Sequence, residues 1–347
     1  MSWTDRFVQH EPRAGVEYPG VLVVDDPRRT PLRAMALGIG GSMLALIGFL
    51  WLASIVTTGL AWAFWTASGS PGGFVDFYRS SVVAFASPLG MVAAHLGVAA
   101  AIPLTFALVL FVHRFRPSWL HSVQPGFRWR YAVVAAVVAL VVLGGVWALS
   151  RAGQSWTWAP EPQFWGFWAA ILLTAPLQAA GEEYLFRGYL MQALYSAAPN
   201  LNRPVVTSDE QGTGPARFTW RLAKGYQRWF GVIGSALLFA LLHGGQNLPL
   251  FLHRFAFGLI AGWLVLKTGG LEAGIAAHVV NNVVAFGYAN SSGTMVAART
   301  VSTATWAELV WNLVGFAVFA AVAVWIARRM NLATRTPTSG LAGGSRL

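Results

Sequence analysis

A succession of apolar runs limits this chain to one kind of fold. The first covers residues 32–66, and a helix needs only about 20 residues to cross a hydrocarbon core of about 30 Å. Further runs cover residues 88–112, 131–150, 163 to about 195, 230–243, 250–266, 271–288 and 306–327. Backbone polar groups in lipid must find partners within the protein, and an unbroken apolar run does this as a helix. The chain reads as all-α, a polytopic membrane helical bundle of about eight transmembrane helices. The residues are 56% hydrophobic and only 11% charged, which sets the chain apart from soluble domains. Pro103 is expected to kink the second span.

Charge then orients the bundle. With the N-terminus inside, all but four of the 24 Lys and Arg fall on the cytoplasmic side or its helix ends, leaving Arg79, Arg151, Arg254 and Arg299 outside. Both termini are expected to be cytoplasmic, in an integral protein of a bacterial cell membrane. Residues 1–31 read as a cytosolic arm without the apolar core of a cleaved signal peptide, and residues 32–329 as the transmembrane domain. Residues 330–347 read as a disordered cytosolic tail. The polar connection 197–229 is expected to be partly helical on the membrane surface. The net charge of +11 accounts for orientation and contact with anionic lipid, and no nucleic-acid motif competes with that reading. With no Cys, there is no thiolate metal site and no disulfide.

Chemistry concentrates in Gly181-Glu182-Glu183-Tyr184-Leu185-Phe186-Arg187-Gly188, read as the only apolar run that holds carboxylates. Glu183 and Arg187, at i,i+4, share a helix face with the acid N-terminal to the base. Glu182 points roughly 140° away from Arg187 at about 100° per residue. Arg187 can therefore neutralise Glu183 and leave Glu182 free. Two other helices carry polar groups. His243 follows Phe239 at i+4, and His278 shares a face with Asn282, with Asn281 as a rival. His95 and His253 read as structural or interfacial. The bland alternatives are a snorkelling cluster at the interface and interhelical hydrogen bonding by His and Asn. Counted from residue 163, Glu182 falls towards the cytoplasmic edge, with His243 about 18 Å from that edge at about 1.5 Å per residue. A carboxylate and an imidazole can activate water, and a second imidazole with a carboxamide can donate to an oxyanion.

Glu-Glu-x-x-x-Arg at Glu182, Glu183 and Arg187, Phe-x-x-x-His at Phe239 and His243, and His-x-x-x-Asn at His278 and Asn282 occur in that order. In this the chain resembles the CPBP intramembrane proteases, which include CAAX prenyl endopeptidases and bacterial relatives of the Abi type. The resemblance covers residues 165–290. It implies a helical bundle with a cavity open to the cytosol, in which Glu182 with His243 activates the attacking water. It further implies that His278 and Asn282 stabilise the oxyanion and that Glu183 and Arg187 support the geometry. The expected substrate is a membrane-associated or lipidated protein met at the bilayer. No cofactor is required by this reading. A divalent metal such as zinc is the alternative, disfavoured because the chain lacks a His pair on one helix and Asn is a poor zinc ligand. The rival functions are a non-proteolytic immunity or scaffold protein of the same fold, and a proton-coupled transporter using Glu182 as a relay. No internal repeat supports the transporter.

Overall fold

The computed structural model describes residues 6–24, 30–198 and 215–337. Its helices are α1 (Pro31–Ala67), α2 (Phe74–Phe77), α3 (Pro88–Ala99), α4 (Ala101–Ala107), α5 (Trp129–Ser150), α6 (Phe164–Glu183), α7 (Met191–Ala197), α8 (Pro215–Leu241), α9 (Leu248–Thr268), α10 (Glu272–Ser291), α11 (Met295–Arg299) and α12 (Trp306–Arg329). Among the described residues no strand is present, only two isolated bridges.

Local chemistry sets where these helices start. Thr30 accepts the Arg33 N–H with Pro31 next to the cap, Ser87 does the same for Gly90 with Pro88, and Asn247 for Leu250. Such caps satisfy backbone donors that have no helical partner. Gly269 ends α9 in the left-handed region, at φ 72°, a conformation that costs glycine no steric strain. The second span breaks at Ala100, just before Pro103, so that α3 and α4 are separate helices.

Among the described residues, six stretches are long and apolar enough to cross a membrane: Leu32–Ala67, Pro88–Val112, Trp129–Ser150, Phe164–Ala197, Leu248–Thr268 and Trp306–Arg329. The chain is thus an integral membrane helical bundle. The other two expected spans are α8 and α10. The first half of α8 is polar, and α10 carries Glu272, His278, Asn281, Asn282 and Asn290, which lowers the apolarity of both. α10 packs between α5 and α6, while α8 packs on α9 and α7. Gly258 against Ala236 and Gly262 against Val232 let the α8 and α9 backbones approach closely.

Loop contacts sort the helix ends into two groups. At one end Ser122 bridges Gly270 and Glu17 bridges Arg335. At the other, the Ala159 N–H donates to Ser291 O at 3.1 Å and the Asn247 N–H to Ser302 O at 2.9 Å. The stretches next to both termini therefore lie at the same end of the bundle.

Two expectations need correction. The tail expected to be disordered from residue 330 is ordered as far as Thr336, whose N–H donates to Val16 O at 2.9 Å. Residues 338–347 lie outside the described residues. The arm it meets is pinned too: Tyr18 is 1% exposed, and Glu17 pairs with Arg228 at 2.7 Å. Of the connection at 197–229, positions 199–214 lie outside the described residues, and α8 already begins at Pro215. Finally, the Glu182 run is not the only one with carboxylates. Glu272 opens α10 fully buried, bound by Arg128 Nε at 2.8 Å and Nη2 at 2.6 Å. The bidentate fork and a third bond from the Arg128 N–H at 3.1 Å satisfy the buried carboxylate.

Candidate active site

α6 does not stop at the acidic pair. It continues through a π-helical segment, Tyr184–Leu190, into α7, making a helical stretch of 34 residues from Phe164 to Ala197. Glu182 thus lies near the middle of this stretch, with about 22 Å of helix beyond it at about 1.5 Å per residue. The discrepancy in depth between Glu182 and His243, which arose from placing Glu182 at the edge, loses its basis. All seven residues of the π segment are buried, and such wide turns recur where a helix must re-aim functional side chains.

Glu183 and Arg187 form the i,i+4 pair at 3.0 Å, both fully buried. The guanidinium carbon also lies 4.3 Å from the Phe239 ring centre and 5.1 Å from that of Phe257, so aromatic faces supply the electron-rich surroundings that water would otherwise provide. Gly274 makes room on α10, because a Cβ there would lie 3.2 Å from Glu183 Oε2.

His278, one turn along α10 from Gly274, sits between the two acids. Its Nδ1 is 2.9 Å from Glu183 Oε1 and its Nε2 is 3.3 Å from Glu182 Oε2. A carboxylate only accepts, so the Nδ1–H is donated to Glu183 and an Nε2–H faces Glu182. Phe257 packs against the same ring at 5.0 Å between centres.

His243 follows the last turn of α8. Its Nδ1–H donates to Phe239 O at 2.6 Å, which leaves the Nε2 lone pair free. The Phe239 ring joins the two imidazoles, at 4.6 Å from His243 and 6.1 Å from His278 between centres. No hydrogen bond links His243 directly to Glu182, although the Glu182 carboxylate lies close enough to act on it electrostatically. The turn that carries His243 is tied down by Gln246, which donates to Ala240 O and accepts from Arg254, both at 2.7 Å.

Asn282 donates to Gln178 Oε1 at 2.8 Å, and Gln178 Nε2 donates to Glu182 Oε1 at 2.7 Å. Asn281 stands behind, donating to Asn282 Oδ1 at 3.3 Å. Of the two asparagines, Asn282 is therefore the one joined to Glu182. Gln178 was missed in the sequence reading. Its signal was a polar residue at i−4 from Glu182 in an otherwise apolar stretch.

The structure thus links Glu182, Glu183, Arg187, His278 and Asn282 by hydrogen bonds and ion pairs and brings His243 alongside through Phe239. His95 bonds Thr174 Oγ1 at 2.8 Å instead, as a packed histidine does. A separate cavity of about 850 Å³, lined by Arg33, His113, Tyr189 and Gln192 among others, shares no residue with this cluster.

Among the described residues no three His, Cys, Asp or Glu side chains form a group able to hold a metal ion.

Residues 163–284 match the model of the family described as type II CAAX prenyl endopeptidase Rce1-like. Neither a curated protein nor a solved structure matches the chain. The matched stretch contains Glu182, Glu183, Arg187, His243, His278 and Asn282. The match supports the resemblance of this core to the CAAX-type proteases.

Proposed function

We propose that this protein is an intramembrane endopeptidase that hydrolyses a peptide bond of a membrane-associated or lipidated protein, without metal, using a water activated by Glu182. The observation that carries the reading is the His278 ring held between Glu183 at 2.9 Å and Glu182 at 3.3 Å. Such an arrangement supplies a fixed donor beside a carboxylate whose neighbour already has its counter-charge.

In the reaction, water lodged between Glu182 and His243 Nε2 gives a proton to Glu182 as its oxygen adds to the carbonyl carbon. The carbonyl oxygen becomes an oxyanion and accepts a hydrogen bond from the protonated Nε2 of His278. As the C–N bond breaks, the proton on Glu182 passes to the leaving amine. Glu183 holds His278 in orientation, and Arg187 balances Glu183. His243, its tautomer set by Phe239 O, orients the water.

The test is cleavage of lipidated peptides by the full chain in lipid nanodiscs, followed by mass spectrometry, beside Glu182→Gln. Cleavage by wild type and none by Glu182→Gln supports the proposal. An inert wild type across membrane-anchored and lipidated peptides favours the scaffold reading instead.

A further inference from the structure

We propose that Gln178 is a positioning residue for Glu182, itself held by Asn282. The inference rests on reading Glu182 as the general base and adds a residue outside the Glu-Glu-x-x-x-Arg, Phe-x-x-x-His and His-x-x-x-Asn motifs.

The direction of the hydrogen bonds follows from one fact, that an ionised carboxylate only accepts. The Gln178 atom 2.7 Å from Glu182 Oε1 must therefore be its NH₂ group. That turns the Gln178 carbonyl towards Asn282, which must present its own NH₂ at 2.8 Å. The Asn282 carbonyl then faces the Asn281 NH₂ at 3.3 Å. One carboxylate thus sets the orientation of three amides, and a chain of donors aligned this way polarises towards its end.

The helices explain why these four residues meet. Gln178 and Glu182 are i,i+4 on α6, His278 and Asn282 are i,i+4 on α10, and the two helices pack side by side. The result is two rungs: Glu182 with His278, and Gln178 with Asn282. Gln178 is buried, so water is a poor substitute for its N–H. Glu182 has one oxygen held by Gln178 and the other facing His278 at 3.3 Å. Its plane is fixed, as a base needs for a near-attack geometry. Asn282 donates one of its two Nδ2 hydrogens to Gln178 and keeps the other.

The test compares wild type and Gln178→Met in nanodiscs on a lipidated peptide that wild type cleaves. A lost hydrogen bond to a charged group predicts that Gln178→Met lowers kcat about 10- to 100-fold with KM changed less than about twofold. Gln178→Glu keeps an acceptor for Asn282 but offers Glu182 no N–H when ionised, and is expected to show the same loss if Gln178→Met folds poorly. A kcat unchanged within about twofold overturns the proposal, as does a rise in KM alone. A second readout needs no cleavage. The infrared carboxylate band that disappears in Glu182→Gln should move in Gln178→Met, and a band that stays in place overturns the proposal. If wild type cleaves no peptide and the band still moves, the protease reading fails and the Gln178 assignment stands.

Discussion

Glu183 Oε1 is shared between two partners, the Arg187 guanidinium at 3.0 Å and His278 Nδ1 at 2.9 Å. One carboxylate oxygen thereby connects the electrostatic balance of the π segment to the orientation of the imidazole on α10. Glu182, the adjacent residue, contacts neither Arg187 nor the same nitrogen of His278. Adjacency in sequence has become a division of roles in space.

Loss of Glu183 should therefore cost stability first. Glu183→Gln leaves the fully buried Arg187 without a counter-charge, and breaking such a pair costs about 3–5 kcal/mol. Thermal unfolding in detergent should show a clear fall, and Glu183→Gln/Arg187→Met should recover part of it. A double variant no more stable than Glu183→Gln contradicts a structural ion pair.

The Arg128–Glu272 pair predicts a second stability effect, remote from the chemistry. Arg128→Met removes the fork at 2.6 and 2.8 Å from a carboxylate with no exposed surface, with an expected loss of about 3–5 kcal/mol. Glu272→Gln/Arg128→Met should be less damaged than Arg128→Met. Equal melting temperatures for wild type and Arg128→Met count against this account.

His121, in the loop before α5, supplies a pH effect. Burial pushes its pKa below the usual histidine range, partly offset by the Glu272 carboxylate, and its Nδ1 meets the Tyr184 hydroxyl. The folded state thus prefers neutral His121. Its contribution is present above the unfolded pKa of about 6.5 and is lost as pH falls below it. Melting curves should fall between pH 7.5 and 5.5 more steeply for wild type than for His121→Gln. Identical slopes argue against it.

Activity, once a substrate is found, should survive a chelator of divalent metal, since among the described residues no three His, Cys, Asp or Glu side chains form a group able to hold a metal ion. Loss on chelation with recovery on adding zinc reverses the metal-free assignment.

Some of this was legible in the sequence because it follows from spacing. The i,i+4 rule placed Glu183 on Arg187 and His278 on the same face as Asn282, and the lengths of the apolar runs indicated a helical bundle. The continuation of the helix past Glu182 towards residue 195 was legible too, while the π turn within it was not, because a π segment preserves the apolar pattern while changing the turn. Glu272 was overlooked since it stands at the first position of α10, where a carboxylate resembles a loop residue until Arg128 is seen to meet it. Gln178 carries no charge and is recognisable only when α10 is laid against α6. The capture of both His278 nitrogens by neighbouring acids is a tertiary fact that no single-helix pattern encodes.

The central claim, that Glu182 and not Glu183 is the base, is tested most directly by one paired measurement. Cleavage of a lipidated peptide and melting temperature are recorded for wild type, Glu182→Gln and Glu183→Gln in the same nanodiscs. The account predicts that Glu182→Gln melts close to wild type yet loses cleavage by about 100-fold or more, while Glu183→Gln melts clearly lower. A fully active Glu182→Gln beside a stable, inactive Glu183→Gln contradicts it.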